Sequence, residues 1–141
     1  MYKDCDMSYY AGFFDGEGCI MIKKPSKACM NYILEVRITN TYRPILEEYA
    51  RIFGGTVHGG TRLQAQYKEK WQWCISSKKA FEFLKAIVPF LRLKRPEAEL
   101  AIEFQGLKKA TDNQHTNKCT PEKVRERAGY YWRMRGLKNV I

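Results

Sequence analysis

Alternating hydrophobic and polar positions predict two β-hairpins in this chain. Successive side chains of a β-strand point to opposite faces, so a strand buried on one side shows a period of two. Residues 33–39 have this period, because Leu34, Val36 and Ile38 alternate with mostly polar neighbours. We predict strands at residues 19–24, 31–40, 56–62 and 70–76, paired as two antiparallel hairpins.

Hydrophobic residues at helical spacing predict helices before, between and after the hairpins. Proline suits the first turn of a helix and glycine often ends one, and several predicted boundaries carry these residues. We predict helices at residues 7–14, 44–53, 77–88 and 121–135, and a further helix that begins at Pro96. The predicted buried positions of the helix at 77–88 are Phe81, Leu84, Ile87 and Val88. Those of the helix at 121–135 are Val124, Ala128 and Tyr131.

This order of elements predicts an α+β fold. We expect an αββαββα core with one four-stranded antiparallel, saddle-like sheet and helices on one of its faces, followed by a C-terminal helix. A chain of 141 residues is long enough for one domain with its own core, but not for two. The expected single domain covers residues 1–141, with the core at about 7–110 and the C-terminal loop and helix at about 111–141.

The second face of the predicted sheet is rich in long polar side chains. Its members are Lys23, Arg37, Thr39, His58, Arg62, Gln72 and Cys74. Such a face is often simply solvated. A formal net charge of +10 favours a polyanionic partner instead, with nucleic acid ahead of a membrane surface, although solubilising lysines alone would give the same sign. We therefore expect this face to contact DNA, whose major groove presents a distinct donor and acceptor pattern for each base pair.

Cysteine usage and hydropathy indicate an intracellular, soluble protein. The five cysteines are an odd number without a Cys-x-x-Cys pair, and only two histidines accompany them. Free thiols in a reducing compartment are therefore expected, rather than a disulfide framework or a structural zinc site. No hydrophobic run approaches transmembrane length, and the N-terminal residues do not resemble a signal peptide.

The stretch at residues 10–18 combines a short helix with an acidic end. The dipole of a helix disfavours anions at its C-terminus, yet Asp15 and Glu17 lie there between glycines. A divalent cation would offset that cost. A short buried helix with a glycine-rich turn is the simpler alternative, and a calcium loop is a weaker one, because Ser26 stands where its closing glutamate would fall.

Residues 10–18, with the sequence YAGFFDGEG, resemble the LAGLIDADG motif of the homing endonuclease family. Ala11, Gly12, Asp15 and Gly18 are identical to the motif. Two further segments resemble the family, ITNT at residues 38–41 and PFLRLK at residues 89–94, and the whole resemblance extends over about 9–109. It implies a site-specific endonuclease that hydrolyses phosphodiester bonds of double-stranded DNA on a long pseudo-palindromic target and leaves 3′ overhangs.

The resemblance also implies site residues. Glu17 stands at the motif's metal-binding carboxylate, with Gly16 beside it, and glutamate here is one methylene longer than the motif's aspartate. Asn40, Lys94 and Arg43 would orient water and stabilise charge at the phosphate. Asp15 is interpreted as mainly structural, as an acceptor of hydrogen bonds. The implied cofactor is Mg²⁺ or another divalent cation such as Mn²⁺, with Ca²⁺ as a non-catalytic substitute.

The chain contains one copy of the motif, so cutting both strands would require a homodimer. The predicted dimer contacts are Tyr9, Ala11, Gly12, Phe13 and Asp15. The predicted DNA contacts are Met21, Lys23, Arg37, Thr39, His58, Arg62, Gln64, Gln66, Gln72 and Cys74. We expect neither a membrane nor a small-molecule substrate. The alternative function is a non-cleaving nucleic-acid-binding protein on the same scaffold, either an intron RNA maturase or a DNA-binding regulator.

Overall fold

Five helices and four strands make up the described chain. A computed structural model describes residues 4–27, 31–61, 66, 68–111 and 120–139. The elements in chain order are α1 (Asp4–Glu17), β1 (Gly18–Lys23), β2 (Ile33–Asn40), α2 (Arg43–Phe53), β3 (Thr56–Thr61), β4 (Lys70–Ser76), α3 (Ser77–Ile87), α4 (Arg95–Thr111) and α5 (Pro121–Lys138). A 3₁₀ turn, Val88–Phe90, joins α3 to the segment before α4. The predicted α+β class and the order of the elements are confirmed.

The four strands form one antiparallel sheet in the order β1-β2-β4-β3. The alternation predicted from the sequence is confirmed on the central strand, where Leu34, Val36 and Ile38 are fully buried. Ile20 and Ile22 of β1 are buried on the same side. All five helices contact at least one other helix or strand, and this hydrophobic face carries α1, α2 and α3.

An aromatic cluster fixes α1 against α2, α3 and the sheet. Trp73 lies at its centre, with its ring centroid 5.1 Å from that of Tyr49 and 5.2 Å from that of Phe83. The hydroxyl of Tyr49 donates to the backbone carbonyl of Tyr10 on α1 at 2.6 Å. Two effects raise the pKa of Tyr10 to about 12: burial, which is the larger, and the hydrogen bond from its hydroxyl to Glu48. The contacts of Tyr10 with Tyr49 and Glu48 join the first helix to α2.

The first helix is longer than predicted. It begins at Asp4 and runs through Gly16 to Glu17, so Gly16 does not end it. Gly18 marks the actual boundary, because a Cβ atom there would collide with the ring of Phe14 and the helix passes into β1 with no loop between them. Tertiary contacts at Asp15, described below, keep the last turn helical where propensity alone favours a stop.

The predicted buried faces of two later helices are confirmed only in part. In α3, Leu84 and Ile87 are buried as predicted and Phe83 is buried with them, whereas Phe81 and Val88 are only partly buried. Phe83 contacts Phe53 at 4.7 Å between ring centroids, so the aromatic cluster determines which side of α3 faces inward. The buried residues of α5 are Arg127, Tyr130, Tyr131 and Met134.

The packing of α5 follows from its neighbours, α4 and β1. Tyr130 packs on Phe104 of α4 with 5.7 Å between ring centroids, and its hydroxyl donates to Glu103 at 2.9 Å. Val124 remains exposed, and Ala128 is partly buried. Thr120 caps the start of α5, since its hydroxyl accepts from the backbone N–H of Lys123 at 3.3 Å.

None of the helices in the described ranges is both long enough and apolar enough to cross a membrane.

Candidate functional site

Two carboxylates at the end of α1 lie in opposite environments. Asp15 is 9% exposed, whereas Glu17 lies on the surface at the junction with β1. They are only two positions apart, and successive helical residues are separated by about 100° around the axis. The helix therefore turns one acid into the protein and the other toward solvent.

The Asp15 side chain accepts three backbone hydrogen bonds from the segment before α4. Its Oδ2 accepts from the backbone N–H groups of Arg92 at 3.0 Å and Leu93 at 2.9 Å. Its Oδ1 accepts from the backbone N–H of Lys94 at 2.8 Å. The interpretation of Asp15 as a structural acceptor is confirmed, although its donors lie nearly eighty positions along the chain and not in its own helix end.

These hydrogen bonds also determine the ionisation of Asp15. Burial alone would raise the pKa of this carboxyl. The backbone donors of Leu93, Lys94 and Arg92, together with the charge of the Lys94 ammonium, outweigh burial and lower the pKa below its usual value. Asp15 is therefore an ionised buried acid, held by fixed dipoles as P-loop and turn nests hold anions.

Lys94 reaches the same helix end with its side chain. Its Nζ donates to the backbone carbonyl of Asp15 at 2.7 Å, two residues before Glu17. An ammonium group at a helix C-terminus complements the helix dipole. The structure thus brings two of the predicted catalytic residues, Lys94 and Glu17, to one helix end.

Asn40 and Arg43 lie near the neighbouring strand end. Because Gly18 pairs with Ile38, the end of β2 lies beside the start of β1, which follows Glu17 directly. The Oδ1 of Asn40 accepts from the backbone N–H of Tyr42 at 2.8 Å and so shapes the turn into α2. The guanidinium of Arg43 lies 4.2 Å from the ring of Trp71 and donates to Glu47 at 2.7 Å.

The acidic end of α1 offers oxygen atoms that could serve as ligands of a divalent cation. Within the described ranges, no three His, Cys, Asp or Glu side chains lie together as a complete set of metal ligands. Magnesium is commonly held by one or two carboxylates, with substrate phosphates and water as further ligands. The exposed Glu17 carboxylate at the negative end of a helix fits that pattern, and Gly16 adds a backbone carbonyl beside it.

The polar face of the sheet contains most of the predicted DNA contacts. The pairings Arg37–Cys74, Thr39–Gln72 and His58–Gln72 place these side chains on one face. Met21 and Lys23 of β1 lie on it as well. Gln66 is exposed in the loop between β3 and β4, and Arg62 and Gln64 lie outside the described residues.

Two charged residues of this face, Glu35 and Lys70, are not among the predicted DNA contacts. Glu35 pairs with Met21 and Ser76, so it points to the polar side, and Lys70 pairs with Thr61 at the other edge. The period of two that placed Arg37 on this face also places Glu35 there. Cys74 of this face is partly buried. Its desolvation is the main reason why the pKa of its thiol is raised.

One face of α1 is largely exposed and carries two glycines between aromatic residues. Tyr9 is 56% exposed, and a Cβ atom at Gly12 or at Gly16 would meet no other atom within 4 Å. Phe13 is partly buried beside them. Ala11 and Asp15 do not lie on this face, since both are buried inside the chain. A stripe of Tyr9, Gly12, Phe13 and Gly16 has helical spacing and allows close approach of another backbone.

The C-terminal helix extends the basic surface at the β1 edge. Lys138 donates to Cys19 of β1 at 3.7 Å, and Arg135 donates to the Tyr131 hydroxyl at 3.1 Å. Lys24 lies 5.0 Å from the ring of Tyr131. Arg127, by contrast, is buried and does not face solvent.

Comparisons with known proteins agree with this arrangement. The family model described as LAGLIDADG endonuclease matches residues 10–111. None of the curated protein sequences matches the chain.

Solved structures share the fold at low sequence identity. The homing endonuclease I-CvuI, in a complex with its target and calcium, superposes with a TM-score of 0.76 at 22% identity, over 97% of this chain and 84% of that one. The archaeal intron-encoded homing endonuclease I-Vdi141I, in a complex with DNA, gives 0.75 at 15% identity, over 99% and 88%. The group I intron-encoded homing endonuclease I-CeuI, also with DNA, gives 0.66 at 15% identity, over 95% and 68%.

The motif at the end of α1, the four-stranded sheet with its polar face and the match over residues 10–111 lead to one conclusion. The chain belongs to the LAGLIDADG endonuclease family.

Proposed function

We propose that this protein is a homing endonuclease that cuts both strands of a specific DNA duplex as a homodimer, with magnesium as its cofactor. The observation that supports it best is the end of α1, which combines an exposed carboxylate, Glu17, with the Lys94 ammonium group bound to the Asp15 carbonyl. Family membership supplies the reaction class, and the domain would act as one unit across residues 1–141.

Each residue at the end of α1 has a separate task in this proposal. A divalent cation would be held by Glu17 and the Gly16 carbonyl, and it would act as a Lewis acid on the phosphate oxygens. Lys94 neutralises charge that develops on the phosphate, since its ammonium is already fixed at this helix end. Asn40 orients the attacking water, and Arg43 adds positive charge at the same sheet end.

The polar sheet face would contact the major groove on each half-site. Lys23 and Arg37 supply positive charge there, and Thr39, His58 and Gln72 supply hydrogen-bonding groups. Relatives of the same fold have been solved in complexes with DNA. A two-fold dimer presents two such faces, so we propose a long pseudo-palindromic target. The cuts would be staggered and leave 3′ overhangs.

The exposed stripe on α1 is the proposed dimer contact. The two glycines, Gly12 and Gly16, stand one turn apart, so a second helix can approach closely between them. Pairing two copies of α1 through this stripe places one Glu17 from each chain near the dyad. Tyr9 and Phe13 would flank the contact with hydrophobic surface.

The dimer proposal is tested by adding a charge to the stripe. Gly12→Glu should convert the dimer to a monomer in sedimentation velocity and abolish cleavage, because a buried unpaired charge at a helix contact is costly. Gly129→Glu is the matched control, since Gly129 is also an exposed helical glycine with open space around it. A wild-type protein that sediments as a monomer, both free and on DNA, would contradict the dimer.

The cleavage proposal needs a substrate that does not presuppose cutting. Duplexes selected for binding from a randomised library in Ca²⁺ would be transferred to Mg²⁺, and their ends mapped by primer extension. We expect double-strand cuts with 3′ overhangs in Mg²⁺ and intact duplex in Ca²⁺. Specific binding without cleavage in any divalent cation would support a DNA-binding regulator. Preference for structured intron RNA over every duplex would support a maturase.

A further inference from the structure

The polar face of the sheet carries one acid among its cations. Glu35 lies in the middle of β2, two positions before Arg37, and its side chain is only 13% exposed. A carboxylate on a surface that contacts DNA is repelled by the phosphates. An acid is therefore unexpected on this face of a chain whose net charge is +10. The contacts of Glu35 explain why an acid at this point is useful.

Glu35 holds cations from two strands. Its Oε2 accepts from Nη2 of Arg37 at 2.5 Å, and its Oε1 lies 3.7 Å from Nζ of Lys23 on β1. The Lys23 side chain is half exposed, whereas Arg37 is about one-third exposed. The shorter and more buried contact is therefore the one with Arg37.

Gln72 holds Arg37 from the other side. With its amide oxygen turned toward the guanidinium, Gln72 accepts from Nε and from Nη1, the latter at 3.2 Å. This orientation is the one that satisfies both groups, because the oxygen otherwise faces acceptors only. Gln72 lies on β4, which pairs with β2 beside Arg37. The guanidinium is thus fixed between a carboxylate and an amide.

A fixed arginine on a sheet face is suited to one kind of base. Arginine has five N–H donors, so contacts with Glu35 and Gln72 leave donors for a ligand. The commonest specific contact in the major groove is a bidentate one from arginine to O6 and N7 of guanine. A guanidinium that is already oriented loses less conformational entropy on binding than a mobile one.

The geometry points to Glu35 as a residue that determines specificity by positioning Arg37 for a guanine in each half-site. This inference rests on the proposed function only in that the sheet face contacts duplex DNA. Glu35 does two things at this point of the face. It aims Arg37 at a base edge, and its charge makes the alternative contact of Arg37 with a phosphate less favourable.

The test compares two variants that each lose one negative charge. Glu35→Gln removes the acid that holds Arg37. Glu99→Gln is the matched control, because Glu99 also accepts from an arginine, Arg95 at 3.3 Å, but is an exposed residue of α4 and not part of the polar sheet face. Binding is measured in Ca²⁺ to a selected duplex, to all of its single-base-pair variants and to a non-specific duplex, so a failure to cleave does not affect the result.

In wild type, replacing one particular G·C pair in each half-site should weaken binding, and we call this loss of affinity the penalty at that position. We expect Glu35→Gln to reduce this penalty by about fivefold to tenfold. Penalties at the other positions should stay unchanged, and binding to non-specific duplex should become tighter. Glu99→Gln should alter none of the base-pair penalties. Arg37→Gln should lose the same guanine preference, and adding Glu35→Gln to it should cause no further loss.

Two results would overturn the inference. One is a Glu35→Gln protein that binds every duplex more tightly by the same factor, with unchanged penalties at all positions, since Glu35 would then only lower the net charge. The other is a wild-type profile without any guanine preference that Arg37→Gln removes. Should Glu35→Gln fail to fold, the additivity of Glu35→Asp and Arg37→Gln in the same binding profile decides the question, because coupled losses support positioning and independent losses contradict it.

Discussion

Asp15 and Glu17 are two acids on one helix turn, yet the fold gives them different environments. Asp15 is buried and accepts three backbone hydrogen bonds from residues 92–94. Glu17 lies on the surface where α1 passes into β1. The two acids of the motif therefore have different roles. Asp15 joins distant segments of the chain, and Glu17 is available to a ligand.

The comparison shows that ionisation and availability are separate properties of an acid. The charge of Asp15 is stabilised by fixed N–H dipoles and by Lys94, so this residue has little capacity left for a cation. Lys94 connects the two environments, since its backbone N–H binds the Asp15 carboxylate while its ammonium binds the Asp15 carbonyl. Asp15 therefore positions a catalytic candidate instead of serving as one.

The largest expected effect comes from removing the available acid. Glu17→Gln should lower the rate of double-strand cleavage in Mg²⁺ by at least about 10³-fold, because the amide is a poor ligand for a hard cation. The free energy of unfolding should change by less than about 0.5 kcal/mol, since the residue is exposed. Single-turnover cleavage of a selected duplex and urea unfolding measure the two quantities. A variant that cuts at the wild-type rate would show that Glu17 is not the metal ligand.

Removing the buried acid should have the opposite profile. Asp15→Asn keeps the shape of the side chain but loses its charge and one acceptor, so we expect about 3 kcal/mol of destabilisation. Urea unfolding at pH 7 and equal protein concentration measures it, with Glu17→Gln as the control for loss of one acid in the same turn. The folded fraction of Asp15→Asn should retain more cleavage than Glu17→Gln does. Destabilisation below about 0.5 kcal/mol would mean that the contacts with residues 92–94 contribute little.

The pH dependence of stability distinguishes the same two positions. The pKa of Asp15 is lowered in the folded chain, so its contribution is fully present above the unfolded value of about 3.9 and is lost as the pH falls through the folded value. The difference in unfolding free energy between wild type and Asp15→Asn should therefore narrow as the pH decreases below about 4. Urea midpoints between pH 3 and pH 7 would check this. A constant difference down to the limit of acid unfolding would contradict it.

The smallest expected effect is that of shortening the available acid. Glu17→Asp restores the residue of the LAGLIDADG motif and keeps a carboxylate, so cleavage should remain within about tenfold of the wild-type rate. Stability should be unchanged. The same single-turnover assay applies, and a variant as inactive as Glu17→Gln would show that the length of the arm matters as much as its charge.

Much of the fold follows from local patterns in the sequence. The period of two along 33–39 placed Leu34, Val36 and Ile38 in the core, because one buried face fixes the phase of a strand. Proline at the start of α2 and glycine after it marked that helix to within one residue. These signals lie within a few positions of what they determine.

The sequence-based predictions fail where contacts between distant segments determine the local structure. Residues 92–94 keep Asp15 in the last turn of α1, so no local rule could predict that the helix passes through Gly16. Ala11 was predicted to face a second chain, but packing around α1 turns it into the core. The contact of Glu35 with Arg37 was also missed, since alternation gives the face of a side chain and not the partner it selects.

The contrast between the two acids can be measured most directly by counting bound metal. Electron paramagnetic resonance of Mn²⁺ on the protein–duplex complex, corrected for Mn²⁺ bound by duplex alone, reports metal without requiring cleavage. We expect the wild-type protein and Asp15→Asn, kept under conditions where both are folded, to retain protein-dependent Mn²⁺, and Glu17→Gln to lose it. Retention by Glu17→Gln together with loss by Asp15→Asn would contradict the assignment of the metal to Glu17.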